Sequence, residues 1–167
     1  MSRQQRIQRR IISLIFELAY LGGRRQAGMR LSADNLNRLD ALEQMLGGDP
    51  GWSRRRHRRI SVLAPSTVCC NTELSPATVL NMSAGGALLV TPLQVAPGDR
   101  MLIKLDQPGA IQYSFACTVC RVSERAGGYL VAVKIQGIPL EVHYGRPPAA
   151  PPSRPDNPVR TPLARTG

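Results

Sequence analysis

Between residues 60 and 137 the chain is cut into short apolar runs by turn signals, and no helical period appears between them. Val62 to Asn71 is rich in β-branched residues, and Pro65 predicts an edge or a bend there. Ser75-Pro76 predicts a turn into a short strand, Ala77 to Asn81, and Ser83 to Gly86 a tight turn into Ala87 to Thr91. Pro97-Gly98-Asp99 turns into Met101 to Leu105, Pro108-Gly109 into Ile111 to Val122, and Gly127-Gly128 into Tyr129 to Ile135. In that last run Leu130, Ala132 and Lys134 alternate with Val131, Val133 and Ile135, one set to each face of a strand. Short strands at near-regular spacing predict an antiparallel sandwich or barrel. A barrel suits a domain this small, because it leaves no open sheet edge.

The flanks differ in kind. Residues 1–48 predict a helical hairpin. Ile7, Ile11, Leu14, Ile15, Leu18 and Leu21 fall three and four apart on one helix face, broadened by Phe16, Ala19 and Tyr20, with Gly22-Gly23 as a stop. Ser32 is placed to cap a second helix whose stripe is Leu36, Leu39, Leu42, Met45 and Leu46, ended by Gly47-Gly48-Asp49-Pro50. The first helix is basic and the second carries Asp34, Asp40 and Glu43, so their charges are complementary. Two short amphipathic helices bury little alone. They serve either as packing for the next domain or as a docking or self-association element for a protein partner. Residues 49–59 form an arginine-rich linker, 60–145 the β domain, and 146–167 a Pro- and Arg-rich tail too poor in apolar side chains to pack a core.

Charge narrows the partner. The 167 residues carry 22 Lys and Arg against 11 Asp and Glu, a formal net charge of +11, and the only lysines are Lys104 and Lys134. Arginine presents a rigid fork that fits phosphate and stacks on flat rings, so an anionic partner is favoured. Seven aromatic residues in the whole chain are too few for a platform that stacks single-stranded nucleic acid. The apolar run Ile11 to Leu21 follows Arg3, Arg6, Arg9 and Arg10 like a signal peptide, but Glu17 interrupts it and no small-residue cleavage site follows. The run is also too short to cross a bilayer. The expected location is cytoplasmic, with Cys69, Cys70, Cys117 and Cys120 as reduced thiols.

Two constellations bear on chemistry. Ser53-Arg54-Arg55-Arg56-His57-Arg58-Arg59-Ile60 places five arginines in six residues. Positions i and i+4 share a side in helix or strand, so Arg55 with Arg59, or Arg54 with Arg58, can face one ligand. The same run also reads as a solvated basic linker or a non-specific nucleic-acid patch. Asn81-Met82-Ser83-Ala84-Gly85-Gly86 ends a strand with two polar side chains able to bond a flat polar edge, and Gly86 permits close backbone approach. Cys117-Thr118-Val119-Cys120 has zinc-knuckle spacing, but residues three apart on a strand face opposite sides, so no metal site is expected. His57 and His143 have no Ser, Cys or Asp arrangement around them, and Glu73, Asp99, Asp106 and Glu124 stand singly at turns. No catalyst and no cofactor are indicated.

An RxxxR run just before the first strand, followed about twenty residues later by [D/N]xSxxG at a strand junction, resembles the PilZ domain family. Gly86-Ala87-Leu88-Leu89, Pro97-Gly98-Asp99, and Cys117 to Val122 leading into Gly128-Tyr129 extend the resemblance over about residues 54 to 137, roughly half the chain. It implies a mainly β fold, a six-stranded antiparallel barrel after the helical hairpin, that binds the bacterial second messenger cyclic di-GMP. It implies that Arg55 and Arg59 grip phosphates and guanine faces, with Arg54 assisting. Asn81 and Ser83 would bond a guanine edge while Gly86 admits it. Asn81 stands where the family more often has Asp, and Lys134-Ile135-Gln136 where it often ends in an aromatic. The competing readings are a PilZ-like adaptor for protein partners with little nucleotide affinity, and a basic nucleic-acid-binding protein.

Overall fold

The computed structural model describes residues 2–48, 57–108 and 110–144. Helix α1 spans Arg3–Gln26 and α2 spans Ala33–Leu46. Ser2 and Gln5 form a reciprocal capping box on α1, and Ser32 Oγ accepts from the Asn35 N–H at 3.2 Å as the cap of α2. The expected stop at Gly22-Gly23 is corrected: α1 runs through both glycines. An added Cβ on Gly23 would stand 2.8 Å from the carbonyl oxygen of Gly137, so here glycine permits contact with the barrel and does not break the helix.

The hairpin closes on its apolar faces. Ile12, Ile15, Phe16, Leu18, Ala19 and Leu21 of α1 are buried, with Leu39, Leu42 and Leu46 of α2. Ile7, Leu36 and Met45, assigned to the same stripes by spacing, are exposed. Arg25 pairs with Glu43 at 2.6 Å, as the charge pattern of the two helices suggests, but Arg38 of α2 reaches back to Glu17 of α1 through two bonds of 2.7 Å. These pairs are solvent-facing and contribute at most about 1 kcal/mol each.

Seven strands follow: β1 Ile60–Cys70, β2 Glu73–Ser83, β3 Gly86–Thr91, β4 Arg100–Gln107, β5 Ile111–Arg125, β6 Gly128–Ile135 and β7 Leu140–His143. Their order is β4-β1-β2-β3-β6-β5-β7, and β4 also pairs with β5. That pairing closes six antiparallel strands into a barrel and leaves β7 appended to β5. The fold is therefore mainly β, a closed six-stranded antiparallel barrel preceded by two helices, as the sequence implies.

The expected turn at Ser75-Pro76 is displaced. The turn lies at Asn71-Thr72, both with positive φ (49° and 70°), and Ser75 and Pro76 belong to β2. Pro76 is tolerated because the β3 ladder begins only at Thr78, so no hydrogen bond on that side is lost. Pro65 opposes Thr78 on β2, while pairing with β4 begins at Thr67. A register shift between Ser61 and Ala64, with Leu63 at φ 41°, supplies the bend that Pro65 predicts.

Phe115, Met82, Leu89, Ile103 and Leu105 are fully buried in the barrel. Phe16 joins this core to the hairpin, its ring stacked on Tyr113 at 4.1 Å and edge-on to Phe115 at 5.9 Å. Hairpin and barrel thus share one continuous hydrophobic cluster. No helix among the described residues is long and apolar enough to cross a membrane.

Candidate functional site

The start of β1 and the β2–β3 turn meet at one end of the barrel. Ile60 pairs with Met82, so Arg59 precedes the ladder at the level of Ser83. Ser83 in turn pairs with Gly86, and Gly86 with Lys134 on β6. These registers gather His57, Arg59, Ser83, Gly86, Cys120 and Lys134 around a cavity of about 290 Å³. Three of these side chains are basic, and among the described residues no Asp or Glu lines the cavity. An opening of that charge concentrates anions.

Each wall has a local cause. Ser83 is buried, and its hydroxyl donates to the carbonyl of Gly86 at 3.3 Å, which tightens the turn. A Cβ on Gly86 would fall 2.5 Å from the Val133 carbonyl oxygen, so only glycine lets β3 lie this close to β6. Ile135 N–H donates to the Gly85 carbonyl at 3.0 Å and fixes the turn against β6. Arg59 is exposed and reaches over this surface.

The arginine segment is tied to the hairpin. Gly47, the C-cap of α2, forms an antiparallel bridge with His57, and Arg58 N–H donates to the Leu46 carbonyl at 3.1 Å. The end of α2 and the first residues before β1 are therefore tied backbone to backbone.

Among the residues expected from sequence, Arg59, Ser83 and Gly86 line one cavity. Arg54 and Arg55 lie outside the described residues. Arg58, of the competing frame, is exposed and does not line the cavity. Asn81 is half-buried on β2 between Ser61 and Leu88 and does not line it either. Its Oδ1 is buried without a hydrogen-bond partner among the described residues. Lys134, His57 and Cys120 were not singled out as site residues by sequence reasoning. Lys134 is brought to the cavity by the β3–β6 ladder, where it opposes Gly86.

Cys117 and Cys120 separate as the strand argument requires. Cys117 is buried, its thiol directed at the Phe115 carbonyl at 3.4 Å, while Cys120 is exposed. A register shift between Val119 and Arg121 makes Cys120 the extra residue of a bulge. No group of metal-ligating side chains occurs among the described residues. Burial, with a smaller contribution from Cys120, pushes the Cys117 thiol up from 9.0 to about 12. A native-state alkylating agent at pH 8 is therefore expected to label Cys120 and spare Cys117, read by peptide mass mapping. The sign for stability follows from the same shift. The unfolded thiol ionises near pH 9 while the buried one holds its proton, so the Cys117 contribution to stability declines as pH rises from about 9 to about 12. A Cys117→Ser variant whose melting temperature shows the same alkaline fall as the parent would remove this assignment.

No curated protein matches the chain. The PilZ domain family model matches residues 53–143, more than half of the 167 residues, and spans the arginine segment, the cavity and the whole barrel. The chain belongs to the PilZ domain family, whose members are cyclic di-GMP receptors and adaptors.

Proposed function

We propose that the chain is a cytoplasmic receptor for cyclic di-GMP, a binding module with no reaction of its own, that passes ligand occupancy to its helical hairpin. The observation that carries this reading is the convergence of Arg59, Ser83 and Gly86 on one basic cavity with no lining acid among the described residues. Arg59 grips a phosphate, with Arg55 and Arg54 of the same run completing the clamp. Each charge-assisted pair contributes about 1.5–3 kcal/mol. The Oδ1 of Asn81, buried in the ligand-free chain, turns toward the cavity and accepts from a guanine N–H, Ser83 bonds the same edge, and Gly86 leaves room for the base.

The output follows from the tether. Without ligand, five arginines in six residues repel one another. The two phosphates offset part of that charge, and the linker 49–59 wraps onto the barrel. Because Gly47 is bridged to His57, that wrapping pulls on the C-terminal end of α2 and resets the hairpin. The hairpin then presents a different face to a protein partner or to a second copy of the chain. The shift is limited by the difference in ligand affinity between the two arrangements.

Calorimetric titration of the purified chain with cyclic di-GMP tests this. Saturable binding near the micromolar range is expected, with weak dependence on salt. Affinity for nucleic acid that falls steeply with salt, without dinucleotide binding, would assign the arginines to phosphate backbones instead. Partner capture that persists with no cyclic di-GMP heat would assign an adaptor role.

A further inference from the structure

A groove of about 650 Å³ lies between α1 and β7 and shares no residue with the basic cavity. Three aromatic rings line it. Phe16 of α1 lies 10° from parallel to Tyr113 of β5 at 4.1 Å, and 15° from parallel to Tyr20 at 6.0 Å. Leu140 of β7 adds an apolar side chain that is 63% exposed. The charged residues of the lining are Glu17 and Glu141, and among the described residues no Lys or Arg joins them. In a chain of net charge +11, this is a local reversal of sign.

Strand β7 is also an open edge. It ends the strand order and, among the described residues, pairs with β5 alone. Leu140, Val142 and Tyr144 fall two apart, on one side of an extended chain, and all three are exposed. An exposed apolar edge invites pairing with another chain, so folds cover such edges. A second copy would have to bring together two molecules of like charge, each +11. The segment that follows Tyr144 has the opposite merits. Residues 145–167 hold seven prolines, with four arginines against the single acid Asp156. Proline has no N–H to donate, so a proline-rich segment covers an edge without offering a new ladder.

We infer that the groove between α1 and β7 is a docking site for the proline- and arginine-rich segment 145–167 of the same chain. The segment packs as a polyproline II helix, the form that aromatic-lined grooves recognise, with its prolines against the rings and its arginines toward the acidic rim. Its reach is sufficient. Tyr144 donates its N–H to the Ala110 carbonyl at 2.7 Å, just past one end of β7, while Leu140, opposite Ser114, stands at the other end. That separation is about 13 Å at about 3.3 Å per residue. After a reversal at Gly145, a polyproline rise of about 3.1 Å per residue covers it in about four residues, which carries the chain from Pro147 to Pro151 and Pro152 at the groove. Tethering supplies an effective concentration in the millimolar range, so a contact with a dissociation constant of only about 0.1–0.5 mM keeps the groove mostly filled. Docking is independent of whether the barrel binds a nucleotide.

Nuclear magnetic resonance on the isotopically labelled full chain tests this. Cross-relaxation between Pro147 to Pro152 and the ring protons of Tyr20 or Tyr113 is expected, with the proline signals moved upfield by the rings. Both are expected to persist unchanged on dilution. The double substitution Pro151→Ser with Pro152→Ser removes no core residue and is expected to abolish these contacts while the amide spectrum of the barrel stays in place. A synthetic peptide of residues 145–160 added to that variant is expected to restore the ring shifts with a dissociation constant of about 0.1–0.5 mM. Adding Glu141→Lys to the same variant is expected to weaken the peptide at least about fivefold, since it turns an attraction at the rim into a repulsion. A parent chain without contacts between segment and rings, contacts that survive the double substitution, or a peptide that binds equally well with Glu141→Lys overturns the docking. Contacts that fade on dilution, together with a doubled molecular mass at high concentration, overturn it in favour of a second copy on the β7 edge.

Discussion

Arg59→Ala is expected to weaken cyclic di-GMP binding about 10- to 150-fold, with the barrel intact. The range converts the loss of one charge-assisted contact, about 1.5–3 kcal/mol, at about 1.4 kcal/mol per decade. The fold is spared because Arg59 is exposed, precedes the first strand, and belongs to no buried cluster. Arg55→Ala is expected to behave alike, as the other member of the RxxxR pair in the proposed clamp. The informative comparison is Arg58→Ala. Arg58 does not line the cavity, and its backbone N–H bond to Leu46 survives the substitution. Its binding is expected to stay within about twofold of the parent. Calorimetry of the three variants, with circular dichroism as the check on folding, decides between the frames. Normal titration in both Arg55→Ala and Arg59→Ala would remove the site assignment. Loss confined to Arg58→Ala would move the clamp to Arg54 and Arg58.

The barrel was legible because its strands are bounded by residues with strong backbone preferences. Gly127-Gly128 and Ser83 to Gly86 announce turns that the structure contains, and the helix cap at Ser32 follows from side-chain chemistry alone. What failed was punctuation whose meaning depends on distant neighbours. Gly22-Gly23 reads as a helix stop until Gly137 is seen against Gly23. Ser75-Pro76 reads as a turn until β3 is seen to stop short of Pro76. Strand β7 went unseen because four exposed residues carry no burial pattern to read. The same logic governs the site. Arg59, Ser83 and Gly86 come from local motifs, whereas Lys134 reaches the cavity only through the β3–β6 ladder. Local sequence cannot encode which of two lysines faces an anion when the answer lies across a sheet.

Phe16→Ala carries the second large effect, a loss of about 3–5 kcal/mol of stability. Phe16 is buried, stacked on Tyr113 with an interplanar angle of 10°, and edge-on to Phe115, the largest fully buried side chain. It belongs to the hairpin by sequence and to the barrel core by contact. For a chain of this size the loss lowers the melting temperature by roughly 10 °C. Because hairpin and barrel share one cluster, a single cooperative transition is expected to shift as a whole. Arg38→Ala serves as the control. It removes the solvent-facing pair with Glu17 on the same hairpin and is expected to cost less than about 1 kcal/mol. The variant also bears on signalling. A hairpin held less firmly to the barrel requires less ligand energy to move, so the structural response to cyclic di-GMP is expected to begin at lower occupancy. Differential scanning calorimetry decides the matter. A barrel transition that stays at its parent temperature while a separate, earlier hairpin transition appears would show that the two parts are coupled too weakly for ligand at one to reset the other.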